Sequence, residues 1–227
     1  SRDFVDYRPS IILDMKMLEE NNIKKIDFDS LHFFQIRKLI KSNNFESVRI
    51  KKGDISVNLI LPATYEEYLE NLPKKKRHEL NRKKRKFEDQ METFKLSESK
   101  DQDIFSVFVS QHRDSIGEKG KFMTEEVESY FKNLLKIDGW KIYYIDSNGG
   151  ILSTAFCYEN EIGCYLYNSS RDNNFNAVNP GIIINDLIIQ HLIKKNLLFF
   201  DFLKGIERYK YDLGGKSVQL YDLTVNL

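Results

Sequence analysis

The chain has 227 residues, 30% of them charged, and its 35 lysines and arginines against 34 aspartates and glutamates leave a net charge of +1. That length can bury the core of one large domain, or of one domain plus part of another, and a balance so near neutral excludes a protein that holds polyanions by bulk charge. No apolar run reaches the roughly 20 residues of a spanning helix and no secretory leader opens the chain, so the expected setting is cytoplasmic, with no membrane span.

Residues 1–62 read as part of a domain. Ile23 to Phe28 fits a short strand, Leu31 to Ser42 a helix, and Val48 to Leu61 a strand pair turning at Gly53-Asp54. This is too little to close a core, so the segment is expected to pack on the rest of the chain or to be the tail of a partner domain. Residues 63–227 form the second expected domain. Thr64-Tyr65-Glu66-Glu67 is a capping box, with the Thr64 hydroxyl on the N3 amide and Glu67 reaching back. The helix it starts is interrupted at Pro73 and resumes to about Gln90.

The resumed helix carries the strongest charge run: Lys74, Lys75, Lys76, Arg77, Arg82, Lys83, Lys84, Arg85 and Lys86. Three readings stay open: a solvated helix, a groove wall that attracts phosphates, or a nucleic-acid surface. Phe87 is the only aromatic residue in the run, and with a near-neutral chain this argues against nucleic acid. Beyond it, Thr93 to Ser97 fits a strand and Asp101 to Ile116 a helix. Gly117 and Gly120 suggest a loop, and Thr124 caps another helix ending near Gly139.

Trp140 to Ile145, Ile151 to Tyr158 and Ile162 to Asn168 predict an antiparallel meander turning at Asn148-Gly149-Gly150 and Glu159-Asn160-Glu161. A two-residue turn at Asn160-Glu161 would set Cys157 opposite Cys164, making a cross-strand disulfide conceivable. In a reducing compartment the two are read as small buried hydrophobes. The four histidines, His32, His78, His112 and His191, are scattered, so no metal is expected.

The C-terminal block points most directly to chemistry. Tyr165 and Tyr167 share one strand face, with Leu166 and Asn168 on the other. A polar loop, Ser169 to Asn179, leads to Pro180-Gly181 at the start of a helix running to Lys195. Proline suits the first helical turn, glycine admits a close ligand, and the unpaired N–H groups there form an anion site. Asp201 lies in the apolar strand Leu197 to Leu203, where a carboxylate needs a partner; Arg208, Lys210 and Lys204 are candidates. A short helix from about Ile206 and a strand from Ser217 to Val225 close the chain. Tyr209 could protonate a thiolate leaving group, stabilised by the nearby Lys210 ammonium. Arg171 and Asp172, in the polar loop, could contact an acceptor.

The basic helix to Arg85, the Pro180-Gly181 helix start and the run Asp201-Phe202 … Gly205-Ile206-Glu207-Arg208-Tyr209-Lys210 together resemble the GNAT-like acetyltransferases of the CelD type, relatives of the Fem-type aminoacyl transferases. The family pattern, Asp-Phe, Gly, an acidic residue and Tyr-Lys, is kept throughout. The Gln/Arg-x-x-Gly-x-Gly/Ala loop of ordinary GNAT enzymes is absent, with Asn179-Pro180-Gly181-Ile182 in its place. The resemblance implies an α/β (α+β) fold: a mixed, mostly antiparallel sheet flanked by helices, with the remnant of a second GNAT-like half in residues 1–62. It implies that the opening between strands Ile162–Asn168 and Leu197–Leu203 holds the pantetheine arm of acetyl-CoA or another acyl-CoA.

By the same resemblance, Tyr209 is the catalytic acid, and Lys210, Glu207 and Asp201 complete the catalytic group. Tyr167, Asn168, Asn179, Gly181 and Ile182 hold the co-substrate, and Arg77, Arg171 and Tyr165 contact the acceptor. The implied activity is transfer of an acyl group to an amine, a small molecule or glycan such as an amino sugar of a surface polysaccharide. The alternatives are a Fem-like transferase using aminoacyl-tRNA and a non-catalytic GNAT-like binding module.

Overall fold

Helix starts fall where the capping residues put them in the computed structural model of the protein, which describes Tyr7, residues 11–147 and residues 150–227. In chain order the elements are α1 (Met15–Glu20), β1 (Lys25–Leu31), α2 (Phe33–Ser42), β2 (Ser47–Ile60), α3 (Tyr65–Asn71), α4 (Lys74–Gln90), β3 (Phe94–Ser99), α5 (Gln102–Arg113), α6 (Glu118–Phe122), α7 (Glu125–Leu134), β4 (Trp140–Ser147), β5 (Gly150–Glu159), β6 (Gly163–Arg171), α8 (Pro180–Lys194), β7 (Phe199–Lys204), α9 (Arg208–Asp212) and β8 (Lys216–Asn226). A 3₁₀ turn, Asn173–Val178, precedes α8. The Thr64 hydroxyl accepts from the Glu67 amide at 3.1 Å while Glu67 reaches back to the Thr64 amide, so the expected capping box forms. Pro73 separates α3 from α4 as expected.

The strands follow the order β1-β8-β2-β7-β6-β5-β4-β3. The pairings β1–β8, β3–β4, β4–β5 and β5–β6 are antiparallel and β6–β7 is parallel. This is the mixed, mostly antiparallel sheet flanked by helices that the family resemblance implies.

The chain forms two compact units. The first combines residues up to 57 with 203–207 and 216–227. Its apolar centre is Leu31, Ile36, Leu39, Leu223 and Val225, supplied by β1, α2 and β8. Here the expected strand pair at Gly53-Asp54 is a single strand, β2, of 14 residues. The glycine marks a close approach rather than a turn: a β-carbon on Gly53 would lie 3.1 Å from Asp222 Oδ1, and the Gln219 amide donates to the Gly53 carbonyl at 3.0 Å.

The second unit combines residues 58–202 with 208–215. Helix α8 covers one face of its sheet through the buried Ile184, Ile188, Ile189 and Leu192. Helices α5 and α7 cover the other, where the Phe131 ring meets those of Phe108, Phe156 and Tyr167 at centroid separations of 5.5, 4.6 and 5.3 Å. The loop expected at Gly117–Gly120 instead contains α6, which starts after Gly117 at φ 77°.

Two registers differ from expectation. Glu159, not Cys157, stands opposite Cys164, because the Asn160 side chain accepts from the amides of Ile162 and Gly163 and makes a four-residue turn. Cys157 pairs with Leu166, and both cysteines are buried free thiols. In the next register step Phe156 pairs with Asn168, so β6 bulges at Tyr167. Of the turn expected at Asn148-Gly149-Gly150, residues 148 and 149 lie outside the described residues.

Candidate active site

The bulge decides which residues face α5. Tyr165 and Tyr167 do share a face, but Asn168 joins them instead of lying with Leu166: its Oδ1 accepts from His112 Nε2 of α5 at 3.1 Å and from the Ser169 amide at 2.8 Å. One extra residue reverses the alternation beyond it. The polar loop also begins later than expected, since Ser169, Ser170 and Arg171 extend β6.

Strands β6 and β7 pair over three residues only, Gly163–Tyr165 against Phe199–Asp201. Gly163 permits that approach, because a β-carbon there would lie 2.5 Å from the Phe199 ring. Asp201, at 4% exposure, accepts from the Asn58 amide at 3.2 Å, a partner far off in sequence. Of the cations expected to serve it, Arg208 faces Asp212 at 3.5 Å and Lys204 pairs with Asp54 at 3.3 Å. Lys210 is buried. Burial, and then the Asp201 charge, push the Tyr165 phenol above its ordinary range, so it stays protonated at neutral pH.

At the start of α8, Asn179 adopts a left-handed conformation at φ 57° and turns the chain into the helix. Pro180 has no N–H, and the amides of Ile182 and Ile183 donate back to the Asn179 carbonyl at 3.0 and 3.2 Å. The Gly181 amide is thus the remaining donor of the first turn. Arg171 lies beside it: a β-carbon on Gly181 would be 3.4 Å from Arg171 Cδ and 3.7 Å from Nη1. A guanidinium at the positive end of a helix dipole is unfavourable alone and favourable around an anion. Arg171, expected on the acceptor, is placed with Gly181.

Two features fit the pyrophosphate and amides of an acyl-coenzyme A. The Gly181 amide and Arg171 offer the anion site. One turn on, Asn185 is 1% exposed; its amide donates to the Gly181 carbonyl at 2.7 Å, and its Oδ1 has no hydrogen-bond partner among the described residues. That orphaned acceptor suits a ligand N–H. Gly181, Ile182, Arg171 and Asn185 are the residues that would hold the co-substrate.

A groove of about 1060 Å³ opens between α4, the first turn of α8 and α9. Ile182 and Tyr209 both line it, so a residue expected at the co-substrate and the expected acid share one cavity. The Tyr209 ring packs edge-on against Phe202 at 6.1 Å. Helix α4 lines the groove with Lys74, Lys75, Arg82, Lys83 and Arg85. Arg77 is not among the lining residues; its Nη1 donates to the Leu69 carbonyl at 3.4 Å and closes the end of α3. Glu207 is exposed at the end of the first unit, with its carboxylate folded towards Gly205.

Other members of the basic run have structural partners. Lys76 donates to the Tyr211 carbonyl at 2.7 Å. Lys84 lies 3.3 Å from Asp186 and donates to the Tyr65 hydroxyl at 2.7 Å, and that hydroxyl donates to Asp186 at 2.7 Å. Asp186 is fully buried, and burial followed by the Asp186 charge holds the Tyr65 phenol far above its ordinary range. Sequence reasoning missed Asp186; its signal was a carboxylate in an otherwise apolar helical stretch. His112 was also missed, and an isolated histidine on a helix carried no signal. Among the described residues, no group of three or more His, Cys, Asp or Glu could hold a metal ion.

A parallel strand pair only three residues long in an otherwise mostly antiparallel sheet, with a proline-glycine helix start and a tyrosine on one groove, makes this a GNAT-like mixed α/β fold. A family model described as the acetyltransferase (GNAT) domain matches residues 74–211, more than half of the sequence, and the chain belongs to that family. Among solved structures, FemX is similar at 10% identity and a TM-score of 0.68, covering 94% of this chain and 74% of its own. A conserved protein of unknown function from Bacteroides thetaiotaomicron is similar at 10% identity and 0.67, with 94% and 73% covered. The C-terminal domain (DUF2156) of a protein assigned as a lysylphosphatidylglycerol synthetase from Agrobacterium fabrum gives 14% and 0.63, with 93% and 71% covered. At these identities the likeness is one of fold. No curated protein matches the sequence. No described helix is long and apolar enough to cross a membrane.

Proposed function

We propose that this GNAT-family chain is an N-acyltransferase that moves an acyl group from acyl-coenzyme A to an amine, such as an amino sugar used in surface polysaccharide synthesis. The observation that carries the reading is the shared groove: Tyr209 of α9 and Ile182 of the first turn of α8 open on one cavity. Acyl-coenzyme A supplies the acyl group as an activated thioester. The Gly181 amide and Arg171 bind its pyrophosphate, and Asn185 Oδ1 receives an amide N–H. Backbone amides of β6 beside the bulge polarise the carbonyl. The amine nitrogen attacks the thioester carbon directly, and the C–S bond breaks as the Tyr209 hydroxyl gives its proton to the departing thiolate. The phenolate is reprotonated by the proton that the nitrogen sheds, so no covalent enzyme intermediate forms. Neither buried cysteine serves as a nucleophile: burial, then the hydrogen bond with Cys157, push the Cys164 thiol upward, which disfavours the thiolate.

Replacing Tyr209→Phe is expected to lower kcat for coenzyme A release about 100-fold while leaving acetyl-coenzyme A binding within about twofold. Unchanged turnover would remove Tyr209 from the chemistry. A second reading, transfer from aminoacyl-tRNA, is favoured by the basic wall of α4; supplying each donor to the same acceptor mixture separates the two.

A further inference from the structure

Resting on the acyl-transfer reading, we infer that the α4 wall of the groove selects the acceptor, and that the acceptor is an amine that also carries a phosphate. Two positive sites flank Tyr209 and Ile182. One is the Gly181 amide with Arg171, which answers to the phosphates of the donor. The other is the α4 wall, and Arg171 does not line that groove. With the donor pyrophosphate at the α8 start, the α4 cations are left to the donor's 3′-phosphate or to the acceptor. They share their groove with Tyr209, at the reacting end, which assigns them to the acceptor, and the acetyl-coenzyme A arm of the test below separates the two.

Those cations are available. Glu79 is engaged by Arg82 at 2.7 Å and Lys83 at 3.7 Å, and Asp212 by Arg208 at 3.5 Å. Lys74, Lys75 and Arg85 also line the groove, and among the described residues none has a carboxylate within ion-pair distance. Lys74 and Arg85 are eleven residues apart on one helix, about 16 Å at 1.5 Å per residue. The wall therefore reaches past a single phosphate. Uncompensated cations facing each other's field inside a concavity are stabilised by a bound anion and repel a cationic acceptor that lacks one.

The lining favours a small phosphorylated molecule over a nucleic-acid strand. Tyr209 is the one Phe, Tyr or Trp among the lining residues, whereas single strands are held by successive aromatic platforms. A volume of about 1060 Å³ matches the upper range of small-molecule sites. The phosphate can be a monoester on the amine-bearing sugar or the diphosphate of a nucleotide-linked sugar, and the test separates them.

The experiment is calorimetric titration of the full chain with glucosamine, glucosamine 6-phosphate and UDP-glucosamine, repeated on the triple variant Lys74→Gln, Lys75→Gln, Arg85→Gln and at raised salt. At least one phosphorylated probe is expected to bind about tenfold or more tightly than glucosamine, and the variant and the salt are expected to erase that advantage. Acetyl-coenzyme A affinity is expected to stay within about twofold in the variant. All three side chains are exposed, so the fold is retained and thermal melting checks it.

Three results overturn the inference: equal affinity for all three probes or none detectable at about 10 mM, a variant that loses acetyl-coenzyme A instead, or tight binding of a short RNA in place of the sugars. A chain that binds the phosphorylated probes but neither binds nor turns over acetyl-coenzyme A refutes the acyl-transfer reading, leaving the α4 wall a phosphate site.

Discussion

The second unit holds two groups of cations with opposite arrangements. Around Glu159, Lys141 lies 3.2 Å from the carboxylate, Lys195 pairs with it closely, and the Tyr143 hydroxyl donates to it. Lys141 also reaches Glu98 at 3.1 Å. In the groove, Lys74, Lys75 and Arg85 meet no carboxylate among the described residues. The first group brings together two lysines far apart in sequence and the second comes from one charge run; one has its charge satisfied inside the fold and the other presents it to whatever enters. A charge run in sequence therefore says little about binding until each cation's partner is known.

The division between satisfied and presented charge is tested most severely at a third, buried pair. Replacing Asp186→Ala strands Lys84 beside Tyr65 and is expected to cost about 3–5 kcal/mol, a fall in Tm on the order of 10 °C by calorimetry. Combining Lys84→Met with Asp186→Leu should recover most of that loss, since an apolar pair of similar size suffers no desolvation.

Next in size is Glu159→Gln, expected to cost about 2 kcal/mol in chemical denaturation because two lysines lose their common partner. Burial alone would raise the Glu159 carboxyl, but hydrogen bonds from Lys195 and Tyr143 and the Lys141 charge outweigh it and hold it below the ordinary 4.5. A depressed carboxyl stabilises the fold fully above that ordinary value and loses its contribution as pH falls through the lower folded value. The variant should therefore show a flatter stability profile below about pH 4.5 than the parent chain.

On the groove side little should change: the triple glutamine variant is expected to shift Tm by no more than about 2 °C. A large shift would mean that those cations belong to the fold after all.

Much of the architecture could be read from local chemistry. Thr64 with Glu67, Thr124 and Pro180 each set a helix start at short range, and capping depends on residues only three or four apart. Tertiary contacts decided what was missed. Gly53-Asp54 has turn composition, but its neighbour in β8 draws it into a continuous strand. The bulge at Tyr167 follows from packing against β5 and has no sequence signature there. In the candidate site, Tyr209, Gly181 and Ile182 could be singled out from motif and helix-start chemistry. Asn58 beside Asp201, Arg171 beside Gly181 and Lys84 beside Asp186 are long-range meetings that no local pattern encodes.

Strand β6 is phased by one residue. Before Tyr167 its odd positions look toward α5 and α7; beyond it the even ones do, which is how Asn168 reaches His112 and the Ser170 hydroxyl reaches the Phe108 carbonyl at 3.1 Å. Deleting Tyr167 itself would only remove the bulge and leave Asn168 and Ser170 facing α5, whereas deleting Ser169, beyond the bulge, would act as a frameshift of side-chain direction, turning Ser170 away from α5 and bringing Arg171 round in its place. Arg171 would then leave the start of α8. The spacing from bulge to helix is thus heritable as a length, and variants of this chain should tolerate changes of residue there far better than changes of count.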